Sequence, residues 1–363
     1  MDRPLRLEDL DFPLPEELIA LHPPAERTAS RLLAVDCAAG EWQHLGFADW
    51  PELLAPGDLL VLNDTRVVPA RIAARKPSGG RVEGLWLEER PDGRALFLLS
   101  GSRLRPGVEL LLADGEFRLR LAEKLAPGRW LLEDGSGLGW LRLLTAAGAT
   151  PLPPYIRSRR AAAGEAEDGA EDRARYQTVF AAADGAVAAP TASLHFDEAL
   201  LGALRARGIE TATVTLHVGE GTFLPVTAER VEEHPMHAER FEVPPATAAA
   251  LEAARARGGR VVAAGTTVCR ALEAHAREGR AAGRTELFLR PGVPFQAVDA
   301  LLTNFHTPRS TLLALVAAFA EHAGAADGLD LVKRVYAAAV ERGYRFYSYG
   351  DASFWSAGSA RRA

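Results

Sequence analysis

The sequence predicts an α/β protein interrupted by a small all-β barrel domain, and three observations predict it. In the C-terminal half, buried strand patterns alternate with helical ones, the texture of an α/β domain. From about residue 70 to residue 151 the pattern changes to short strand-like runs parted by Pro-Asp-Gly, Arg-Pro-Gly, Ala-Asp-Gly and Ala-Pro-Gly. A buried strand at residues 58–62, after a Pro56-Gly57 turn, already precedes that stretch. The β-rich part is therefore an insertion: residues 1–70 and 153–363 make a discontinuous α/β catalytic domain, and residues 71–152 an inserted barrel.

The elements follow in order. "FPLPEELIALHPPAERTASRLL" reads as a short helical pattern bounded by prolines. "GDLLVLNDTRVVPARI" is a strand ending in a polar cluster, Asn63-Asp64-Thr65-Arg66. "RVEGLWLEE", "RALFLLS", "VELLLAD", "FRLRLAE" and "RWLLED" are the barrel strands. "RSRRAAAGEAEDGAEDRAR" has many charges and no apolar period, the signature of a mobile loop. "ETATVTLHV" alternates as a strand. "RVVAAG" is a buried strand feeding a helix from Thr266, and "DALLTN" another feeding a helix near Pro308, with Thr307 as its cap and Arg309, Ser310 and Thr311 in its first turn.

Composition excludes several classes. With 363 residues, 48% hydrophobic and 25% charged, the chain has ordinary globular make-up. The first twenty residues carry no uninterrupted apolar core of a secretory signal, and the longest apolar stretch, residues 312–320, is too short for a bilayer, which needs about 20 residues. Cys37 and Cys269 offer neither a disulfide framework nor metal-type spacing. A cytoplasmic protein with no metal and no membrane partner is expected. The net charge of −6 argues against indiscriminate nucleic-acid coating, yet residues 255–290 are rich in arginine, among them Arg277, Arg280 and Arg284. That segment, with the basic residues at 157–160, could hold a phosphate backbone; solvated helix faces would read the same way.

Candidate chemistry stands at strand exits. Asp64 and Arg66 follow the first buried strand, where an Asx-turn with a surface ion pair is the plain alternative. His217 lies in the alternating strand and Glu220 between Gly219 and Gly221, where backbone can approach a ligand; a simple glycine hairpin looks the same. Gly265-Thr266-Thr267 presents backbone N–H groups at a helix start, suited to an anion or to capping. Asn304 and His306 precede the next helix. In "AAPTASLHF" a histidine, His195, is wedged between Leu194 and Phe196, which suits either a core ring or a base held neutral by desolvation.

Together and in order, "PLPEELIA", "LVLNDTRVVPARI", "PPYI", "RYQTVFA", "GAVAAPTASLHF", "VTLHVGEGTF", "HPMHAERFEV", "VVAAGTTVCRALE", "LLTNFHTPRSTLLALVAAFA" and "YRFYSYGDA" resemble the S-adenosylmethionine:tRNA ribosyltransferase-isomerases of queuosine biosynthesis, over the chain to about Asp351. The resemblance implies a larger α/β domain with a barrel-like sheet interrupted by a small β-barrel. It implies transfer and isomerisation of the ribosyl moiety of S-adenosylmethionine onto 7-aminomethyl-7-deazaguanine at the tRNA wobble position, giving epoxyqueuosine and releasing adenine and methionine. S-adenosylmethionine is then a substrate rather than a cofactor, tRNA carrying the deazaguanine is the partner, and a monomer is expected.

That chemistry requires a neutral base for the ribose 5′ proton, a donor at the departing adenine, and charges opposite to the methionyl ammonium and carboxylate. By residue type, His195 is the base and His217 its competitor. Glu220, Glu239 and Asp64 face the sulfonium or ammonium, Arg66 or Arg270 the carboxylate, and Asn304 or Tyr176 the ribose and bases. Thr191, Gly219, Gly265, Thr266, Thr267 and His306 complete the expected substrate site. The chain departs from the usual family pattern at Ser193, Glu220 and Thr307. Such changes leave open a paralogue with a small acceptor, or a non-catalytic RNA-binding protein on the same fold.

Overall fold

A computed structural model describes residues 4–223 and 228–358, so the end of the "VTLHVGEGTFLPV" motif lies outside the described residues. The chain opens with 3₁₀ turns, then β1 (Arg31–Asp36), β2 (Glu41–Gly46), β3 (Leu59–Asn63) and β4 (Thr65–Val67). The helical pattern expected near the N-terminus is reduced to the turns Glu16–Leu18 and Arg27–Ala29. Its prolines fix φ and remove the N–H groups that a longer helix needs.

Next come β5 (Arg71–Arg75), β6 (Arg81–Glu89), β7 (Ala95–Gly101), β8 (Glu109–Leu112), β9 (Phe117–Ala126) and β10 (Arg129–Asp134), which close into an antiparallel barrel in the order β10-β7-β6-β5-β8-β9. Alternate residues fill it: Ile72, Val82, Phe97, Leu110, Leu119 and Leu132 are buried. At Gly84 a Cβ would come within 2.7 Å of Leu99 and 2.8 Å of Ile72, so only glycine lets these strands pack so closely. Helix α1 (Trp140–Ala147) caps the barrel core with Trp140, whose indole N–H donates to the Gly93 carbonyl at 2.9 Å.

The return begins with α2 (Pro154–Ala162) and α3 (Ala170–Arg175), where a mobile loop was expected. The charges that suggested mobility are paired: Arg160 forks onto Asp172 at 2.7 and 3.0 Å, both residues buried, and Arg157 and Arg71 meet Glu167. Ion pairing there replaces the apolar stripe that sequence reading looks for.

Then follow β11 (Ala183–Ala186), α4 (Glu198–Ala206), β12 (Glu210–Leu216), β13 (Glu239–Glu242), α5 (Pro245–Ala256), β14 (Val261–Ala264), α6 (Thr266–Glu278), β15 (Ala282–Thr285), β16 (Ala300–Asn304), α7 (Thr311–His322), α8 (Gly328–Glu341) and β17 (Ala352–Ser356). Helix α7 starts later than expected. Arg309 adopts φ 56°, and Ser310 rather than Thr307 caps the helix by accepting the Leu313 N–H at 3.2 Å.

The large sheet has nine strands in the order β15-β13-β12-β3-β14-β16-β17-β1-β2. At its centre β12, β3, β14 and β16 run parallel. Both faces are covered, as a parallel sheet demands. Leu59 and Val61 of β3 join one core with Val268 of α6, Leu313 of α7 and Val332 of α8. Leu60 and Leu62 join the other with Phe47, Trp50, Phe196 and Leu200 of α4. Opposite pleats of one strand thus feed two cores, and the polar residues after each parallel strand emerge along one edge. In such sheets ligands bind outside the carboxyl ends of the strands.

Candidate active site

At the end of β3, Asn63 is fully buried and ties three exits together. Its amide donates to the Leu216 carbonyl at 2.9 Å and to Thr267 Oγ1 at 3.2 Å, while its oxygen accepts the Thr65 and Leu216 N–H groups. Sequence reading passed over Asn63 and Thr65 for their charged neighbours, although both stand in the same polar cluster. Asp64 accepts the Thr215 hydroxyl at 2.6 Å. Arg66 points away to the Ala181 carbonyl and Asp184.

Beyond β12, both nitrogens of His217 are engaged. Arg240 donates to Nε2 at 2.8 Å; because a guanidinium cannot accept, the ring proton sits on Nδ1 and faces Thr65 Oγ1 at 2.9 Å. Gly185 lies against the ring, where a Cβ would fall within 2.9 Å of it. Burial, then the Arg240 charge, pulls His217 down to about 4.

Gly219 donates its N–H to Glu239 at 3.0 Å, and Glu239 is also the partner of Arg270 on α6. Both members of that pair are buried. Arg270 further donates Nε–H to the Leu287 carbonyl at 3.1 Å, and its Nη2 is buried without a partner. Glu220 turns out of the loop to pair with Arg129 of the barrel, so its charge is met there rather than by the strand-end row. Gly265, at φ 109°, opens α6 with Thr266 and Thr267 in its first turn, and its N–H donates to Leu302.

His195 ends the 3₁₀ turn Thr191–His195, which packs on β16. Its Nδ1 lies 2.9 Å from Ser30 Oγ and its ring is 4.9 Å from that of Phe47, while Nε2 is buried and has no partner. Asn304 donates to the Tyr347 carbonyl at 3.1 Å, and its oxygen is likewise buried and unpartnered. Burial pulls His195 down to about 4, with the Asp351 charge opposing. Ser193 is fully buried beside Ala264, its hydroxyl 3.5 Å from that carbonyl.

Tyr176 and His306, like most of the strand-end residues, are buried. Tyr176 belongs to a core cluster with Ile156 and Tyr349. His306 is bonded to Thr303 Oγ1 at 2.9 Å and is pulled down to about 3 by burial. The expected tRNA-facing arginines hold internal carboxylates: Arg277 with Glu273, Arg280 with Glu278, and Arg284 with Glu88 of the barrel at 2.9 Å. Arg157, Arg159 and Arg160 are paired likewise. Arg277 meets a buried carboxylate and Arg159, Arg160 and Arg284 meet carboxylates distant in sequence, whereas Arg280 meets its near neighbour Glu278.

The three most strongly lowered histidines, His195, His217 and His306, set a pH response. Below about pH 6.5 the unfolded chain takes up protons that the folded chain refuses until about pH 4 at His195 and His217 and about pH 3 at His306, so ν in the unfolded state exceeds ν in the folded one and stability falls on acidification. The urea midpoint is expected to drop between pH 6.5 and pH 4.5, with buried His195 contributing on the order of 2 kcal/mol. Replacing His195 by glutamine should flatten that part of the slope; an unchanged slope would remove His195 from the account.

The model of the family described as queuosine biosynthesis protein matches residues 7–355. The chain is 52% identical over 360 residues to the S-adenosylmethionine:tRNA ribosyltransferase-isomerase of Acidithiobacillus ferrooxidans, covering 98% of this chain and 99% of that protein. It is 52% identical over 356 residues to the enzyme of that name from Anaeromyxobacter dehalogenans, covering 96% and 98%. Among solved structures, S-adenosylmethionine tRNA ribosyltransferase from Thermotoga maritima is similar at 34% identity and a TM-score of 0.54, over 96% of this chain and 99% of that one.

Proposed function

The chain belongs to the family of queuosine biosynthesis proteins as an S-adenosylmethionine:tRNA ribosyltransferase-isomerase, and on that premise we propose how its residues divide the work. The ribosyl moiety of S-adenosylmethionine passes to 7-aminomethyl-7-deazaguanine at the tRNA wobble position and is rearranged to the epoxide, with adenine and methionine leaving. The reaction runs at the carboxyl edge of β12, β3, β14 and β16, within the discontinuous domain of residues 1–70 and 153–363, while the barrel of residues 71–152 braces the Gly219–Gly221 loop through Arg129. The protein works in the cytoplasm as a monomer and without a cofactor. Among the described residues no helix is long and apolar enough to cross a membrane, and no group of His, Cys, Asp or Glu is placed to hold a metal.

One observation carries the assignment of the base. His217 has its Nε2 occupied by Arg240, whereas the Nε2 of His195 meets no guanidinium and has only the neutral Asn304 side chain beside it. His195, neutral at physiological pH, removes the ribose 5′ proton acidified by the sulfonium. The N-terminus of α6, with Gly265, Thr266 and Thr267, offers donors to the departing adenine. Asp64, bonded to the Thr215 hydroxyl, supplies negative charge against the cationic donor, while Glu239, matched by Arg270, holds the Gly219 loop.

Incubation with S-adenosylmethionine and tRNA carrying the aminomethyl-deazaguanine, followed by nucleoside mass analysis, tests the reading. Epoxyqueuosine with release of adenine and methionine is expected. Turnover of the donor with a small amine, and none with that tRNA, would overturn it.

A further inference from the structure

Arg27, in the 3₁₀ turn after Pro23-Pro24, and Arg175, the last residue of α3, border one narrow cleft with Leu194, His195 and Tyr349. Arg27 donates to the carbonyls of Leu194 at 3.0 Å, Gln177 at 2.8 Å and Ala174 at 3.3 Å. Arg175 donates to those of Ala25 at 2.9 Å and Pro24 at 2.6 Å. All these acceptors are neutral. Among the described residues no carboxylate lies within ion-pair distance of either guanidinium, whereas Arg66, Arg129, Arg160 and Arg270 each have one.

The arrangement is one-sided in charge. Burial and the neighbouring Arg175 charge lower the proton affinity of Arg27, and Asp197 opposes them only from a distance. A guanidinium has five N–H donors, so both side chains keep donors to spare after their carbonyl bonds. Beside them stands His195, 4% exposed, with Nε2 unpartnered and sealed. Two like charges at the mouth of a cleft call for an anion, which would offset the repulsion and accept bidentate bonds.

We propose that Arg27 and Arg175 form the anion site for the methionyl carboxylate of S-adenosylmethionine. This rests on the reading that the donor binds with its ribose at His195. Five bonds separate that carboxylate carbon from the ribose 5′ carbon, roughly 6 Å when extended. Anchoring one at the arginine pair therefore sets the other beside the imidazole. Arg66 and Arg270, expected in this role, already answer Asp184 and Glu239. The spare Nη2 of Arg270 is sealed, and its charge is already matched. Walls of Pro23, Pro24, Leu194 and Tyr349 admit a small carboxylate more readily than a polynucleotide strand.

Titration calorimetry on the full chain tests the site with S-adenosylmethionine and with its decarboxylated analogue, using the parent, Arg175→Gln and Arg27→Gln; thermal melts verify folding. Arg175→Gln is the decisive variant, because Arg27 also ties three carbonyls. The parent is expected to bind the decarboxylated analogue about 10–100-fold more weakly than the donor, and Arg175→Gln to lose about the same factor for the donor alone. Filter binding of the tRNA should be unchanged. Equal losses for donor and analogue, or weakened tRNA binding with donor affinity intact, would overturn the proposal, the second result assigning the pair to a phosphate. A parent that binds no donor at all overturns the functional reading and the site with it. Variants that bind and turn over like the parent overturn the site alone.

Discussion

His195→Ala is expected to slow ribosyl transfer by about 10²–10⁴, the usual worth of a positioned general base, with S-adenosylmethionine affinity nearly intact. The expectation follows from the ring's setting. Burial holds it neutral, Ser30 steadies Nδ1, and Nε2 is the nitrogen left to act. Alanine would also leave a hole against Phe47, so His195→Gln serves as the companion variant that keeps volume and loses the base. Exchange of deuterium out of the ribose 5′ position separates chemistry from folding. Loss of exchange in both His195 variants, with His217→Ala exchanging normally, supports the assignment. Loss only in His217→Ala moves the role to His217, which would then require Arg240 to swing off its Nε2.

The largest effect on stability is expected at Glu239. Glu239→Ala strands the Arg270 guanidinium in the interior and removes the acceptor of the Gly219 N–H, and breaking a buried pair from one side costs about 3–5 kcal/mol. Replacing both partners, as Glu239→Leu with Arg270→Met, should cost clearly less, because no buried charge remains. Urea unfolding of the single and double variants measures the coupling. Additive losses would mean that the two side chains do not depend on each other. Weakened donor binding in the double variant, at restored stability, would show that the pair also holds the ligand loop in place.

Much of the architecture was legible because it is written locally. The barrel run "RVEGLWLEE" coincides with β6, Arg81–Glu89, and "RWLLED" with β10, Arg129–Asp134, since alternation and Pro/Gly turns mark both ends of each strand. Gly265 before α6 was readable for the same reason: a strand, a glycine at positive φ and a helix start follow one another within a few residues. The motifs at the strand exits could be named, but the edge they share follows from the parallel pairing of β12, β3, β14 and β16. The segment at 157–175 misled, because helices held by ion pairs carry no apolar period.

By itself, then, the sequence determined the fold class with its small barrel, the family and the residue types available for chemistry, because periodicity, turn residues and ordered motifs are properties of neighbouring positions. Only the tertiary structure decided which charges are free and which nitrogens can act. Glu220 meets Arg129 and Arg284 meets Glu88 across the junction with the barrel, Arg240 closes the Nε2 of His217, and Arg27 and Arg175 are left facing carbonyls. A charge's partner is set by which distant segments the topology brings within about 4 Å, and in an interior of low dielectric that partner fixes whether the group binds a ligand or merely holds the fold.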